Sequence, residues 1–351
     1  MRKLATIRKI DNLLPIEGAD LIVTAVIDGW TVVVKKHEFN VGDLCVYFEI
    51  DSFLPDGNPA WQHLVEKHPR MFEGARGHRL KTVRLRGQLS QGFVTSTNIV
   101  NDDAIFADMN IGLDVSEILN IKKYEAPIPG ELAGQVRGNF PGFIPKTDQE
   151  RCQNLGRDIF DENANSRYEV TMKMDGTSFT AYYRDGGDGV CGRNWELQVN
   201  GDNASNTLVR MFVDSGLQAA LRELRLNYAV QGELMGPAIQ KNREAFTAAR
   251  LFIFDIYDID GGRYLSPEDR HRVITELWNR GLSRDVVQHV PVMSMGVTLA
   301  ELGINNVSEL LAFAEGPSFV HPVREGLVFK RDDGGFSFKA ISNSFLLKEK
   351  D

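Results

Sequence analysis

Residues 168–178 read YEVTMKMDGTS and contain the pattern on which the fold of the C-terminal half depends. An apolar, β-branched run that ends at Asp-Gly is typical of a strand followed by a tight turn. Such a strand would carry Lys173 at its end, against the wall of a pocket. The chain has seven Asp-Gly pairs, and only this one has a lysine two residues earlier. From these residues alone, a surface hairpin with a solvated lysine is an equal alternative.

Further charged residues follow in stretches that the sequence predicts to be strands or strand ends. Arg193 offers a forked cation suited to phosphate or ribose oxygens, and Glu233 is a carboxylate next to a glycine. Glu325 precedes Lys330 by five residues, and Lys339 comes shortly afterwards. Taken singly, each stretch is better explained as a turn acid or a core aromatic. The stretches are 192–194 (GRN), 231–234 (QGEL), 251–257 (LFIFDIY), 324–330 (REGLVFK) and 336–340 (FSFKA).

In their order and spacing, these stretches resemble the motifs of the covalent nucleotidyltransferases, which comprise DNA ligases, RNA ligases and mRNA capping enzymes. The family pattern runs K-x-D-G, R-N, G-E, an aromatic strand, E-G-x-V-x-K and a lysine strand. Here it covers residues 168–345, about half of the chain. Residues 232–242 and 342–345 are most similar to RNA ligases. An OB-like domain before the ligase core resembles the Deinococcus–Naegleria type of RNA ligase.

The resemblance implies an ATP-dependent RNA ligase that joins 3′-OH and 5′-phosphate ends, at nicks, through a lysyl-AMP intermediate on Lys173. The implied cofactors are ATP and Mg²⁺ or Mn²⁺, and the implied partner is RNA or an RNA-containing nicked duplex. Asp175, Glu233 and Glu325 are the expected metal residues, acting through water. The expected nucleotide-binding residues are Met172, Lys173, Asp175, Gly176, Arg193, Glu233, Phe254, Glu325, Lys330 and Lys339.

Because an amine attacks phosphorus only when it is neutral, the pKa of Lys173 is expected to be lowered, by desolvation and by neighbouring cations. The aromatic platform for adenine is expected to be Phe254, with Phe252 as the alternative. RNA ligases often carry a second lysine in the last motif, where this chain has Ile341. Whether Lys330 or Lys348 replaces it stays open.

Two other functions remain possible at this point. One is a capping-type guanylyltransferase that uses GTP, and the other is a non-catalytic nucleic-acid-binding protein that keeps the fold. Only Ile341 supports the second, while the intact Lys173 and Glu233 speak against it. A P-loop ATPase is excluded, because the chain contains no Gly-Lys dipeptide.

The first 130 residues are predicted to form an OB-like nucleic-acid-binding domain. Short β-branched runs at 21–27 and 31–34 flank the hairpin signal Asp28-Gly29, and 44–50 is another strand. Residues 79–86 alternate basic with apolar side chains, so one face is predicted to be core and the other cationic. The nucleic-acid-binding residues expected on that face are Arg79, Lys81, Arg84 and Arg86; a solvated face is the alternative.

Residues 131–351 are predicted to form the nucleotidyltransferase domain. A Pro- and Gly-rich segment at 124–145 is predicted to be a linker. The fold class is therefore α+β: an OB-type β-barrel, then ATP-grasp-like antiparallel sheets with flanking helices. The predicted strands are 168–174, 178–184, 189–193, 228–235, 251–258, 325–331 and 335–341, and the predicted helices 204–225, 267–280 and 307–315.

Composition fits an ordinary globular protein of about two domains, with 351 residues, 42% hydrophobic and 25% charged. No apolar run is long enough for a bilayer, and the N-terminus does not resemble a signal peptide. The net charge of −8 argues against a large nucleic-acid footprint, outside the basic cluster near residue 80. Cys45, Cys152 and Cys191 form no C-x-x-C, which favours a reducing cytoplasm over disulfides or zinc. A monomer is expected.

Overall fold

The computed structural model of the chain describes residues 3–100, 109–125, 132 and 134–348. The chain divides into two compact units, which are Met1–Pro127 together with Leu347–Asp351, and Ile128–Leu346. We call them the N-terminal and the C-terminal unit. The predicted domain boundary near residue 130 lies outside the described residues.

The N-terminal unit consists mainly of short antiparallel strands. Its hairpin at Asp28 and Gly29, with φ angles of 49° and 83°, has the left-handed backbone that two-residue turns require. The apolar faces pack in two clusters, one containing Trp30 and Tyr47 and the other Phe48. The elements are β1 (Ala5–Lys9), β2 (Asn12–Pro15), β3 (Ile22–Ile27), β4 (Trp30–Lys35), β5 (Leu44–Phe48), β6 (Ser52–Pro55), α1 (Gln62–Lys67), β7 (Arg70–Phe72), β8 (Ala75–Arg79), β9 (Thr82–Leu85), β10 (Gln88–Gln91), β11 (Phe93–Ser96) and β12 (Lys122–Lys123).

These strands form four small sheets. Their orders are β1-β5-β11, β2-β3-β4, β10-β9 and β12-β6-β8-β7. All pairs within them are antiparallel, as expected for a meandering all-β domain.

The prediction of one continuous basic strand over 79–86 is wrong. The segment is divided between β8 and β9, which belong to different sheets. Leu80 still exchanges backbone hydrogen bonds with Asp51 and Ser52, and the chain then leaves that sheet. Val83 and Leu85 are exposed, so β9 has no core face. Alternation of residue types therefore indicated a half-buried strand where the structure has a short exposed strand, β9, paired to the mostly buried β10.

The C-terminal unit contains one large and one smaller sheet. The large sheet has the order β13-β18-β17-β16-β19-β20-β21, with β22 also paired to β20, and the smaller has the order β14-β25-β24-β15-β23. The strands are β13 (Val136–Asn139), β14 (Glu150–Arg151), β15 (Tyr168–Lys173), β16 (Thr177–Arg184), β17 (Gly187–Cys191), β18 (Trp195–Leu197), β19 (Tyr228–Met235), β20 (Arg250–Asp258), β21 (Arg263–Tyr264), β22 (Val287–His289), β23 (Val292–Val297), β24 (Gly326–Arg331) and β25 (Ser337–Ile341).

Short helices accompany these sheets. They are α2 (Thr207–Asp214), α3 (Leu217–Leu224), α4 (Pro267–Asn279), α5 (Val307–Phe313) and α6 (Asn343–Lys348). The start of α4 is as the sequence predicts, because the Ser266 hydroxyl accepts the Asp269 amide at 3.1 Å and Pro267 opens the helix. The single helix predicted over 204–225 is wrong: Gly216, with φ 83°, separates α2 from α3.

All seven predicted strands of this unit are present within a few residues of their predicted ends. The predicted linker at 124–145 is partly wrong, because Val136–Asn139 pairs with β18. The sequence also did not predict β18, β22 or β23. Of these, β23 is an edge strand beside β15, and its exposed methionines gave no clear alternation.

The three cysteines are free and buried. Burial raises the pKa of Cys45 and of Cys152 to about 12, and it raises the pKa of Cys191 as well. In residues 3–100, 109–125 and 134–348, no helix has the length and apolar character that crossing a bilayer requires.

Candidate active site

A pocket of about 220 Å³ lies in the C-terminal unit and receives side chains from both of its sheets. Lys173 reaches it from β15 and Glu233 from β19. Most of the residues predicted to bind a nucleotide line this pocket. They are Met172, Lys173, Gly176, Arg193, Glu233, Phe254, Lys330 and Lys339.

Lys173 ends β15 and meets a carboxylate from the next strand. Because Lys173 pairs in register with Gly326, the preceding residue Glu325 lies beside it, and its Oε1 is 2.7 Å from Lys173 Nζ. Desolvation lowers the pKa of Lys173, but Glu325, Glu233 and Asp175 outweigh it, and the net pKa is raised. The expectation of a lowered pKa is therefore wrong for the chain by itself: the acids around the amine dominate over the cations.

Glu233 is fixed by the turn that follows β15. Its Oε1 accepts the backbone amide of Gly176 at 3.0 Å. A side chain at Gly176 would place a Cβ only 2.4 Å from the Leu234 carbonyl oxygen, so the close approach of the turn to β19 requires glycine. Desolvation raises the pKa of Glu233 to about 7, against the opposing effect of Lys173.

The acids of the site fit a divalent cation. Glu325 Oε2 is buried and has no hydrogen-bond partner among the described residues. Glu325 contacts the Lys173 ammonium, and the charges of Glu233 and Asp175 act on the same group. Oxygen donors of this kind are those that Mg²⁺ and Mn²⁺ prefer. A cation here would relieve the mutual repulsion of the acids and lower the pKa of Lys173.

Two further lysines line the pocket from the smaller sheet. Lys330 Nζ lies 2.5 Å from Asp255 Oδ1 and donates to the Phe254 carbonyl oxygen. Desolvation lowers the pKa of Lys330 to about 8. Desolvation, reinforced by Lys173, lowers the pKa of Lys339 to about 7. Lys330 thus stays mainly cationic at neutral pH in its ion pair with Asp255, and an anion in the pocket would raise the pKa of both lysines.

The structure distinguishes the two candidate aromatic platforms. Phe254 lines the pocket, with its ring centroid 5.4 Å from Lys330 Nζ. Phe252 instead packs against Phe246 and Phe319, at ring-centroid distances of 5.6 and 5.9 Å. The pairing of β19 with β20 shifts register between Gln231 and Gly232, which leaves Phe254 as the extra residue of a β-bulge. A bulge redirects side chains, which explains why simple alternation put both rings on one face.

Other lining residues come from a segment that the sequence assigned to no motif. Asp148 pairs with Arg193 at 2.7 Å, and Gln149 Nε2 donates to Asp255 Oδ2 at 3.1 Å. Thr147 also lines the pocket, as does Gln240 from the stretch 232–242 that is similar to RNA ligases. The signal for residues 147–149 was weak, because these polar residues follow a Pro-rich stretch and precede the first motif.

Ile341 belongs to an apolar cluster with Val323 and Phe345. Of the two lysines considered as replacements, Lys330 lines the pocket, whereas Lys348 lies at the end of α6. The smaller sheet thus presents Lys330 and Lys339 to the pocket and uses position 341 for packing.

The four basic residues predicted to bind nucleic acid lie in the N-terminal unit. Arg79 forms an ion pair with Asp51 at 2.6 Å. Lys81, Arg84 and Arg86 are exposed on or beside β9. Arg86 has a φ of 51°, because it forms the β9–β10 turn. The set therefore comprises the half-buried Arg79 in its ion pair with Asp51 and three residues that are exposed on or beside β9.

Two family models match the chain. One, described as an OB-fold domain, matches residues 4–97, and the other, described as RNA ligase, matches residues 166–341. They confirm the predicted fold class, an OB-type domain followed by a ligase domain. No curated protein matches the chain.

Solved structures of Naegleria gruberi RNA ligase are similar over the whole length. The apo form of an aspartate-to-alanine mutant is 46% identical, with a TM-score of 0.83, and the match covers 100% of this chain and 99% of that chain. A lysine-to-methionine mutant with AMP and Mn is 45% identical, with a TM-score of 0.81 and full coverage of both chains. A lysine-to-alanine mutant with ATP and Mn is 45% identical, with a TM-score of 0.80, and the match covers 99% of this chain and 98% of that chain.

Proposed function

Since the chain belongs to the RNA ligase family, we propose that it joins 3′-OH and 5′-phosphate ends of RNA, at nicks, through a lysyl-AMP intermediate on Lys173. One observation supports this most directly. Lys173 Nζ lies among three carboxyl groups in a pocket that also contains two partly desolvated lysines, Lys330 and Lys339. That arrangement suits a nucleophile, a cation and a phosphate chain at one place.

ATP is the proposed nucleotide. Phe254 supplies a ring for the adenine, and Arg193, held by Asp148, can donate to ribose or phosphate oxygens. The solved relatives hold ATP or AMP with Mn, which favours ATP over the GTP of a capping enzyme. A nucleotide-binding pocket with an intact lysine also disfavours the non-catalytic alternative.

The proposed first step forms a bond between Lys173 Nζ and the α-phosphorus of ATP and breaks the bond to pyrophosphate. Lys173 must lose a proton beforehand, and Glu325 Oε1, 2.7 Å away, is the nearest acceptor. Lys330 and Lys339 would bind the phosphate oxygens on which negative charge increases. AMP then passes to the RNA 5′-phosphate, and the 3′-OH displaces it to form the phosphodiester.

Asp175, Glu233 and Glu325 are proposed to hold a hydrated Mg²⁺ or Mn²⁺. When bound, such an ion neutralises the acids and stabilises charge on the phosphate oxygens. Glu233 is prepared for this role by its hydrogen bond to Gly176, which fixes the direction of its carboxyl group. Glu325 Oε2 is buried and accepts no hydrogen bond from the part of the chain that the structure describes, so it can accept one from a metal-bound water.

The N-terminal unit is proposed to bind the polynucleotide through Arg79, Lys81, Arg84 and Arg86. Exposed cations suit a phosphate backbone because neutralising the phosphates releases the counterions that are condensed on the nucleic acid. Division of the chain into domains near residue 130 is part of this proposal. We also propose that the protein acts as a monomer in a reducing cytoplasm, where its three free thiols are stable; light scattering would test the monomer.

Incubation with ATP and Mg²⁺, followed by intact-mass analysis, tests the chemistry. We expect one AMP per chain, located on Lys173 by peptide mapping, and no adduct with GTP. For variants of the pocket carboxylates, Glu301→Ala is the matched control, because it removes an exposed carboxylate in the same unit. An adduct on another lysine, or a GMP adduct of equal yield, would contradict the proposal.

A further inference from the structure

A row of buried charges leads from the pocket into the C-terminal unit. Lys330 Nζ lies 2.5 Å from Asp255 Oδ1, and Arg270 Nη1 lies 3.7 Å from the same oxygen. Arg270 Nη2 in turn donates to Glu169 Oε2. The side chains of Arg270 and Glu169 are only 1% and 0% exposed. The signs alternate along the row, so each buried charge has an opposite neighbour.

The four residues come from four different elements. Lys330 lies on β24, Asp255 on β20, Arg270 on α4 and Glu169 on β15. Glu169 pairs in register with Lys330 and shares its strand with Lys173. The guanidinium of Arg270 thus connects helix α4 to the strand of the nucleophile by a hydrogen bond to Glu169, and to the large sheet by a longer ion pair, without a hydrogen bond, to Asp255.

Two histidines complete the surroundings of Arg270. His289 Nδ1 donates to the Val290 carbonyl oxygen at 2.6 Å, so its Nε2 accepts the Arg270 Nε–H at 3.1 Å. Desolvation, reinforced by Arg270, lowers the pKa of His289 to about 3, which keeps this ring neutral. His271 Nε2 lies 2.8 Å from Glu169 Oε1. Arg270 is therefore held by an acid and an imidazole at once.

The same residues could be taken for a metal site, since Glu169, His271 and His289 have suitable spacing. The contacts of Arg270 speak against this. Its N–H groups already use Glu169 Oε2 and His289 Nε2, and its positive charge would repel a cation. The cluster is built to hold a guanidinium.

We propose that Arg270 is a positioning residue for the adenylylation of Lys173: it fixes Asp255 and, through Asp255, holds the Lys330 ammonium at the pocket wall. The inference rests on the proposed function, in which Lys330 binds phosphate oxygens. Asp255 has two strong partners of its own, Lys330 and Gln149. Without Arg270, Asp255 would lose its buried cation on the side of α4, so the carboxylate would move towards its other two partners and shift the Lys330 ammonium, which also donates to the Phe254 carbonyl oxygen.

The effect should fall on the chemical step. A lysine that binds charge developing in the transition state changes kcat, whereas adenine stacking on Phe254 determines much of ATP binding. We expect Arg270→Met to reduce the rate of AMP-adduct formation at saturating ATP about 10- to 100-fold, a typical loss when a supporting partner is removed. The KM for ATP should change by less than about threefold, because ground-state contacts remain.

Arg272→Met is the matched control. Arg272 lies on the same helix, but its side chain is exposed and forms an ion pair with Asp269 of that helix. The variant should behave as wild type. A general loosening of the pocket would raise the KM for ATP together with the fall in kcat, which would overturn the positioning role. So would a folded Arg270→Met protein with wild-type kcat.

A double-mutant cycle with Lys330→Ala gives the sharper test. If Arg270 acts through Lys330, the variant with both changes should be no slower than Lys330→Ala alone. Rate losses that multiply would overturn the proposal. Should Arg270→Met fail to fold, Arg270→Lys takes its place in both experiments, because lysine keeps the charge but not the fork. Absence of an adduct in wild type and Arg272→Met would instead contradict the proposed function.

Discussion

The two units use cations in opposite ways. In the C-terminal unit, Lys330 and Lys339 are withdrawn from water, and their pKa values are lowered to about 8 and about 7. In the N-terminal unit, Lys81 and Arg84 are exposed on a short hairpin. A buried cation needs partners at fixed distances, so its position is tied to strand register. An exposed cation is stabilised by hydration, so the direction of its side chain depends on the local backbone conformation.

The largest expected effect separates the chemistry of the two units. Lys173→Ala should abolish the AMP adduct, because the amine nitrogen that forms the bond to the α-phosphorus is gone. Replacing Arg79, Lys81, Arg84 and Arg86 of the N-terminal unit with alanine should leave adduct formation at the wild-type level. Intact-mass analysis after incubation with ATP and Mg²⁺ measures both. Loss of the adduct in the second variant would mean that the two sets of cations do not act separately.

Next in size are the acids around Lys173. Glu233→Ala and Glu325→Ala should each slow adduct formation by about 100-fold or more, because a metal shell that lacks one carboxylate loses orientation. Asp175→Ala should act in the same direction. The measurement is the adenylylation rate across a Mg²⁺ titration. Full activity of Glu233→Ala at every Mg²⁺ concentration would remove Glu233 from the proposed shell.

The exposed cations should matter for the polynucleotide. Replacing Arg79, Lys81, Arg84 and Arg86 with alanine should weaken nick sealing about tenfold at physiological salt, and it should reduce the slope of log affinity against log salt by up to about one unit per lost phosphate contact. Gel-shift titrations at several salt concentrations measure the slope.

Because Arg79 is half-buried beside Asp51 and the other three are exposed, most of that loss should appear in the variant that keeps Arg79 and changes only Lys81, Arg84 and Arg86. Sealing that stays at the wild-type level in both variants would identify β9 as a solvated surface.

The smallest effect concerns stability in acid. Burial raises the pKa of Glu169, but the bond to His271 and the charge of Arg270 outweigh it, and the pKa falls to about 2. Because this lies below the unfolded value, the ionised group stabilises the fold above about pH 4.5, and the contribution is lost as pH falls towards 2. Glu169→Gln lacks this dependence.

Between those pH values, the unfolding free energy of wild type should fall more steeply than that of Glu169→Gln, by up to about 1.4 kcal/mol per pH unit. Urea denaturation at a series of pH values measures the difference. Equal slopes would show that Glu169 is not held as an ionised partner of Arg270.

Much of the pocket could be predicted because its residues stand at strand ends with characteristic neighbours. The turn at Gly176 follows from local sequence, and the motif pattern placed Glu325 in the site, whereas the strand register that brings Glu325 to Lys173 is seen only in the structure. The choice between Phe252 and Phe254 could not be predicted, since it depends on a bulge that changes the alternation.

Arg270 was equally hidden from the sequence. A single arginine on an amphipathic helix is normally solvated, and only the tertiary structure brings it to Glu169 and Asp255. The strand predicted over 79–86 failed for a related reason. Its residue types alternate, but the partner strand ends at Ser52, and pairing is a property of two segments.

The buried cysteines have a practical consequence. A thiol whose pKa is near 12 has almost no thiolate at neutral pH, so Cys45 and Cys152 should resist alkylation and peroxide for as long as the chain is folded. Cys45 lies in the N-terminal unit, and Cys152 and Cys191 lie in the C-terminal unit. The three cysteines can therefore report the unfolding of each unit. In rising denaturant, the mass of an iodoacetamide-treated sample should increase by one carbamidomethyl group when the N-terminal unit unfolds and by two when the C-terminal unit unfolds.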